Sequence, residues 1–302
     1  MNKGIKTKLA FTLIELLVVI AIIGILSALI VVGMNSTTHK ATIAKAQVFS
    51  NSLRNSLMGN LVSEWKLDGN ANDTWGGQNG SLLNAPTSEP IANCISGTCY
   101  TLNGSSQYIS IPHPAGTDVF NFGTQMTAMV WVKGNTNAMA FFTQWDVNGQ
   151  KSWNMISFND KLRILITDDG AAATNHFKDY SSNAILFNNN WHLAGFTFNS
   201  GILKLYVDGV ESSVNKSWDY AITSIWNSTA NIDIGCQLSS GSPQNYYTGS
   251  IDEARLLNAA IPTSQIQQMY FAGLNKLFVK NQITEEAYNN RIADLTSNYV
   301  KE

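Results

Sequence analysis

A long N-terminal α-helix, an all-β sandwich of two antiparallel sheets and a short C-terminal helical appendage are what this sequence predicts. Three observations carry that expectation. Leu16 to Met34 holds no charge and is rich in Leu, Ile and Val, and apolar residues at spacings of three and four continue to Met58. From Leu61 the chain breaks into many short strand-like segments separated by Gly, Asn, Ser and Asp, with no helical pattern between them. Past Ile261-Pro262 helical spacing returns.

The N-terminal run is long enough to span a membrane, since about 20 apolar residues at 1.5 Å rise cross a bilayer core of roughly 30 Å. Lys3, Lys6 and Lys8 precede it without an acid, which orients that end to the cytoplasm and the rest of the chain outside. Glu15 is the one charge inside the apolar block, and a carboxylate there is costly without a partner. Ile43, Ala44, Val48, Leu53, Leu57 and Met58 extend the pattern while Lys40, Lys45 and Arg54 face elsewhere, so one helix from Thr12 to Met58 is predicted, ending at Gly59-Asn60. Its length is on the order of 70 Å.

The series of basic leader, Ala10, Phe11, Thr12, Leu13, Ile14, Glu15 and apolar run resembles the N-terminus of type IV pilins and pseudopilins, the class III signal family. That resemblance implies cleavage between Ala10 and Phe11 by a prepilin peptidase, N-methylation of Phe11, and pairing of Glu15 with the N-terminal ammonium of a neighbouring subunit. The family prefers Gly where this chain has Ala10, and commonly a Pro where it has Val32 and Gly33. A paired Glu is tolerable in low dielectric where a lone one is not.

The chain of 302 residues has a net charge of −2 and only 13% charged residues, with no basic patch that points to nucleic acid. Cys94 and Cys99 bracket Ile-Ser-Gly-Thr, and in an oxidising compartment a disulfide is expected; a metal pair is the rival, with no His or Cys nearby to complete it. Cys236 is left over as a small buried hydrophobe.

Predicted strands include Tyr100 to Leu102, Tyr108 to Ile111, Thr127 to Lys133, Ala140 to Trp145, Trp153 to Phe158, Lys161 to Thr167, His192 to Phe198, Ile202 to Val207, Asn231 to Cys236 and Tyr247 to Leu257. Asp208-Gly209 supplies a hairpin turn. Thr263 or Ser264 caps a helix expected to run through Phe271 and stop at Gly273, and Thr284 with Glu286 and Ala287 begins another.

A second resemblance rests on six segments in order. They are Trp65-Lys66-Leu67-Asp68-Gly69-Asn70 with Asp73, Leu102-Asn103-Gly104-Ser105 before Tyr108 to Ile111, Met129 to Lys133, Asn190 to Ala194, Leu205 to Gly209, and Gly249 to Arg255. Together these are similar to a laminin-G-like domain of the concanavalin A-like lectin/glucanase superfamily, which implies a jelly roll of two curved sheets. The expected organisation is a leader at 1–10, a membrane helix at 11–59, the lectin-like head at 60–260 and C-terminal helices at 261–302.

A glycan hydrolase would need paired carboxylates on one face of a strand. No Glu-x-Asp-x-Glu pattern occurs, Asp252 and Glu253 are adjacent and so expected on opposite faces, and Asp168-Asp169-Gly170 reads as a turn. His39, His113, His176 and His192 have no nucleophile motif beside them. The head is therefore expected not to be an enzyme. The superfamily resemblance implies a structural calcium at the sandwich rim, with Asp68 and Asp252 in the matching positions and Asn70 and Asp73 nearby; alternatively Asp68, Asn70 and Asp73 are turn residues and Asp252 bonds backbone amides. The resemblance also implies glycan binding; stacking candidates nearer strand ends and loops are Trp145, Trp153, Trp218, Trp226, Tyr246 and Tyr247, whereas Trp131 and Trp191 fall where the resemblance implies core residues. The expected function is assembly through the N-terminal helix with other pilin or pseudopilin subunits and display of a head that binds a glycan or a surface protein. The alternatives are a membrane-tethered glycan-binding or glycan-active protein that does not polymerise.

Overall fold

The computed structural model describes Leu57 and residues 59–134 and 139–299. The leader, the Ala10–Phe11 junction, Glu15 and the helix predicted from Thr12, apart from its Leu57, lie outside the described residues. Among the described residues no helix is long and apolar enough to cross a membrane.

In chain order the strands are β1 (Leu61–Trp65), β2 (Ser81–Leu83), β3 (Thr87–Glu89), β4 (Cys99–Asn103), β5 (Tyr108–Ile111), β6 (Gln125–Lys133), β7 (Ala140–Asp146), β8 (Gln150–Phe158) and β9 (Lys161–Gly170). There follow β10 (Phe177–Ile185), β11 (His192–Asn199), β12 (Ile202–Val207), β13 (Val210–Glu211), β14 (Val214–Asp219), β15 (Ile232–Ile234), β16 (Gln237–Ser239), β17 (Ser242–Gln244) and β18 (Thr248–Leu257). Two helices close the chain, α1 (Thr263–Val279) and α2 (Glu285–Tyr299). An eight-stranded sheet has the order β13-β12-β11-β6-β18-β4-β3, with β1 added against β18. A ten-stranded sheet has the order β14-β10-β9-β8-β7-β15-β5-β2, with β16 and β17 attached beside β7. The predicted hairpin is present: Asp208 and Gly209 both take positive φ, and Val207 pairs with Val210.

Alternation along the strands divides each sheet into two faces. Trp65, Val130, Phe142, Trp153, Ile164 and Phe196 turn inward and form the core between the sheets. Trp65 links the sheets edge to face with Phe142 at 6.2 Å and 84°, and Phe142 meets Trp153 of its own sheet at 5.1 Å and 83°. Such pairs add about 0.5–1.5 kcal/mol each beyond their area.

The outer face of the eight-stranded sheet is also apolar, and α1 covers it. Met129, Trp131, Leu193, Tyr206 and Leu257 from the sheet meet Ile266, Met269, Tyr270, Leu274 and Leu277 from the helix in a second cluster that includes Leu57. Trp131 stacks on Tyr270 at 5.6 Å and 17°. The helix does not stop at Gly273; it continues to Val279. A Cβ on Gly273 would stand 2.2 Å from the Trp131 ring, so glycine here permits close approach rather than ending the helix. Ile283, Tyr288, Ile292 and Leu295 pack α2 against the same cluster, and the Thr284 hydroxyl accepts the Ala287 amide at 3.1 Å as its cap.

The outer face of the ten-stranded sheet carries a different texture. Directly paired residues share a face, and the ladder aligns Ser110, Asp233, Thr143, Asn154, Leu165, Asp179 and Trp218 in one row across it. Asp233 is fully buried there, and neither carboxylate oxygen is in hydrogen-bonding geometry with a donor. Burial pushes its carboxyl up to about 7, with Asp146 adding to the rise.

Two expectations follow. Gly273→Ala forces the helix off Trp131 and should cost about 1–3 kcal/mol, read as a lower urea midpoint; an unchanged midpoint would remove the close-approach account. Because the folded Asp233 keeps a proton that the unfolded chain loses above about pH 4, stability should fall as pH rises from there to about 7. Asp233→Asn should relieve up to about 4 kcal/mol of that penalty at pH 8 and almost none at pH 4, so equal gains at both pH values in thermal melts would contradict it.

Candidate functional site

The proposed calcium ligands are drawn into backbone bonds. Asp73 accepts the amides of Glu64 (2.9 Å), Trp75 (2.9 Å), Gly76 (3.0 Å) and Gln78 (3.0 Å), and Asn70 accepts the Asn72 amide at 2.8 Å. Asp68 accepts the Thr98 amide at 2.9 Å and Asp252 the Ser96 amide at 3.0 Å, while the second oxygen of Asp252 is buried without a partner. Among the described residues no group of three or more His, Cys, Asp and Glu is placed to hold a metal ion. All four expected calcium ligands thus accept backbone amides, Asp73 and Asn70 within the turn after β1 and Asp68 and Asp252 from the disulfide loop.

Asp68 and Asp252 do approach one structure together, the loop closed by the Cys94–Cys99 disulfide, which forms as expected with Cα atoms 5.5 Å apart. Gly97 in that loop has φ +41°, and a Cβ there would run into the Asp68 carboxylate. Beside the loop β18 changes partner, pairing with β4 up to Ile251 and with β1 from Ala254. The register slips between Asp252 and Arg255, and Glu253 takes φ 52°. That bulge corrects the expectation of opposite faces: Asp252 lies opposite Trp131, under α1, and Glu253 reaches the same side to bond Arg255 and to stand 3.9 Å from the Lys276 ammonium. Arg255 also donates to Glu64 at 3.0 Å, and Glu64 accepts the Thr74 hydroxyl at 2.6 Å. Burial alone would raise Glu253, but Arg255, Lys276 and Lys66 hold it down at about 2. Burial together with the Glu253 charge pushes Asp252 well above the usual carboxylate range. These acids are thus tied up in a buried ionic network, in the wrong arrangement for a general acid facing a solvated nucleophile.

His192 lies between Asp208 at 2.7 Å and Asn188 at 2.9 Å, and Asp208 also accepts the Leu193 amide at 3.0 Å, so the imidazole pins the β12–β13 turn to β11. Asp168, Asp169 and Gly170 end β9 rather than forming the turn; Asp169 accepts the amides of Ala171, Ala172 and Ala173 in the loop that follows.

The six aromatic candidates separate by burial. Trp153 and Tyr247 lie wholly within the core between the sheets and are packing residues, and Trp145 is also buried, with Lys151 6.0 Å from its ring centre. Trp145 does stand near the end of β7 and Tyr247 just before β18, whereas Trp153, expected at a strand start, lies inside β8, which begins at Gln150. Trp226 is half-buried and its indole nitrogen has no partner. Tyr246 stands 6.1 Å from Tyr108 at the opposite side of the sheet from Trp218. Trp218 is 51% exposed. It stacks on Tyr220 at 5.9 Å and 18°, and both rings meet Phe177, at 5.8 and 5.4 Å.

This aromatic platform lies on the outer face of the ten-stranded sheet, on which no helix of the described residues packs. Trp218 is opposite Asp179, which takes a bidentate pair of bonds from Arg163; the Arg163 guanidinium in turn lies 4.8 Å from the centre of the Phe158 ring. Phe158 and Ile185 both pair with Lys161 and are half exposed or more. The face therefore offers Trp218 at one edge, Phe158 at one end and a fixed charged pair between them. At about 4.8 Å between strands and 3.3 Å per residue the two rings are roughly 19 Å apart. Sequence reasoning missed Phe177, Tyr220, Phe158 and the Arg163–Asp179 pair. The available signal was the two-residue spacing of Trp218 and Tyr220, which puts both on one face of an edge strand.

Known proteins share the fold that carries this face. Residues 103–267 match the family described as the concanavalin A-like lectin/glucanases superfamily, and residues 5–31 match the prokaryotic N-terminal methylation motif. No curated protein matches the chain. Among solved structures, the fold is shared with the binding domain of Paraclostridial Mosquitocidal Protein 1, at a TM-score of 0.57 and 14% identity over 72% of this chain and 53% of that one. It is shared also with the receptor binding domain of botulinum neurotoxin C/D mosaic serotype, at 0.54 and 14% identity over 72% and 52%. The binding domain of botulinum neurotoxin DC in complex with SialylT matches at 0.54 and 13% identity over 72% and 52%. This chain spans about half the length of each of those domains, and the likeness is one of fold. With the sandwich, its jelly-roll sheets and the matched 103–267 segment in agreement, the chain belongs to the concanavalin A-like lectin/glucanases superfamily and carries a prokaryotic N-terminal methylation motif ahead of that domain.

Proposed function

We propose that this chain is a type IV pilin-like or pseudopilin subunit that assembles through its N-terminal helix and displays a non-enzymatic, lectin-like head for adhesion. The observation that carries the reading is the fusion itself, a methylation motif at 5–31 joined to a superfamily domain at 103–267. A prepilin peptidase releases Phe11, and the membrane holds the helix until a neighbouring subunit supplies the ammonium that neutralises Glu15. The head then sits outside the cytoplasmic membrane, where an oxidised Cys94–Cys99 bridge persists.

Glycan binding by the head draws support from the open outer face of the ten-stranded sheet. Flat rings stack on the apolar faces of sugars and polar side chains take the hydroxyls. Trp218 with its Phe177 and Tyr220 supports meets the first need; the partly exposed Arg163, held in place by the buried Asp179, meets the second. Another member of the fold, the binding domain of botulinum neurotoxin DC, is known in complex with SialylT. The acids on this face favour binding over hydrolysis. Asp179 is engaged by Arg163 and Asp233 is sealed from solvent, so neither is free to attack or protonate a glycosidic bond.

Glu15→Ala should leave membrane insertion intact and abolish incorporation into sheared filaments, checked by immunoblotting of membrane and shear fractions; normal incorporation would defeat the pairing mechanism. On a glycan array, the detergent-solubilised full chain should capture at least one oligosaccharide class. Trp218→Ala should weaken that capture about tenfold without moving the melting temperature, since one stacked ring is worth up to roughly 1.5 kcal/mol. Unchanged capture by the variant would place the ligand elsewhere, and an array silent to the wild type would leave the head without a lectin function.

A further inference from the structure

The rim of the sandwich at the disulfide loop is the place where the superfamily resemblance implies a cation; there Asp68 accepts the Thr98 amide and Asp252 the Ser96 amide, and no group of three or more His, Cys, Asp and Glu among the described residues is placed to hold a metal ion. The same rim nevertheless has the oxygen geometry of a cation site. Three backbone carbonyls of the loop, those of Ile91, Cys94 and Ile95, converge on one nitrogen, the Lys280 ammonium, at 2.9, 2.9 and 3.2 Å. An ammonium has three donors, and this arrangement uses all of them. One helical turn earlier, the Lys276 ammonium donates to the Ser96 hydroxyl at 3.0 Å and stands 3.9 Å from Glu253. Gln282 adds a bond to the Cys94 carbonyl at 2.9 Å. All three side chains come from α1 or the turn after it, and all their acceptors but Glu253 come from the loop between Ile91 and Ser96.

We propose that the rim cation is built into the chain: the ammonium groups of Lys276 and Lys280 occupy the place of a metal ion, so that the head is independent of calcium and the C-terminal helices are fastened to the disulfide loop. Three features of the fold point the same way. A 3₁₀ turn, Ile91–Asn93, and the Cys94–Cys99 bridge fold the loop so that successive carbonyls face one point. Lys280 follows the last residue of α1, where a positive charge also meets the negative end of the helix dipole. The acids that would attract a divalent ion, Asp68, Asp252 and Glu253, lie around these same lysines, and a dication entering there would face two fixed positive charges and carbonyls already in use. The C-terminal helices are on this account an integral part of the head, tied to it at Trp131 by packing and at the loop by charge.

Thermal unfolding of the full-length chain in detergent, followed by tryptophan fluorescence, tests the proposal. The wild type should melt at one temperature in EDTA and in excess calcium chloride. Lys280→Met should melt about 3–6 °C lower in both, and Lys280→Arg, which keeps charge and donors, should recover most of that loss. If the loop and the lysine form one device, Cys94→Ser/Cys99→Ser combined with Lys280→Met should lower the melting temperature by less than the sum of the separate effects. A wild-type melting temperature raised by calcium and lowered by EDTA would overturn the proposal. So would Lys280→Met melting with the wild type, or additive losses in the combined variant.

Discussion

The closest approach that organises the head is that of Gly273 to the ring of Trp131. No side chain fits between helix and sheet at that point, so α1 lies directly on the eight-stranded sheet. Tyr270, one turn earlier, can then stack flat on the same indole, and Leu274 and Leu277 fill the space beside it. Covering this face removes a large apolar surface that a sandwich would otherwise leave wet. It also brings the end of the helix to the disulfide loop, where the ammonium groups find their carbonyls. Leu57, the described residue from the predicted N-terminal helix, is buried in that same cluster, and Arg291 of α2 donates to the carbonyl of Trp191 there. Packing thus gathers both ends of the described chain on one side of the sandwich.

The other side is different. The ten-stranded sheet turns its inner residues to the core, the polar groups of its outer row, Thr143, Asn154, Asp179 and Asp233, are buried, and Trp218 and Phe158 stand exposed at its borders. A face that were merely uncovered would be expected to be uniformly solvated. Here instead Arg163 and Asp179 are locked together, Asp233 is buried at an energetic cost, and a half-exposed tryptophan is braced by two other rings. Buried polar defects of this kind are tolerated where they serve a site or where neighbouring packing outweighs them. The rim acids tell the complementary story: their charges are compensated by Arg255, Lys276 and Lys66, within the protein itself.

Much of the head was legible in the residues because its strands alternate cleanly. Tyr108–Ile111 and Ile202–Val207 were predicted to the residue, the Asp208-Gly209 turn was explicit, and the Cys94–Cys99 pair followed from spacing and compartment. β14 was missed because its exposed, polar Val214–Asp219 lacks a buried face, and β2 and β3 because three-residue strands are set by their partners. Gly273 was misread because a glycine in a helical pattern usually marks an end, and only the position of Trp131 shows otherwise. The Asp252–Glu253 pair was misread because alternation assumes an unbroken ladder, and the bulge where β18 changes partner is a tertiary event. Of the aromatic candidates, Trp153 and Tyr247 lie in the core because which side chains meet between the sheets depends on strands distant in sequence.

The two outer faces of the sandwich differ: the C-terminal helices seal one, and Trp218 and Phe158 stand exposed on the other. Oxidative footprinting of the tryptophans in the native full-length chain, resolved by peptide mass spectrometry, reads that difference directly. Trp218, on the open face, should oxidise far faster than Trp131, beneath α1. Comparable rates at the two positions would mean that the helix does not seal its sheet, and the account would fail.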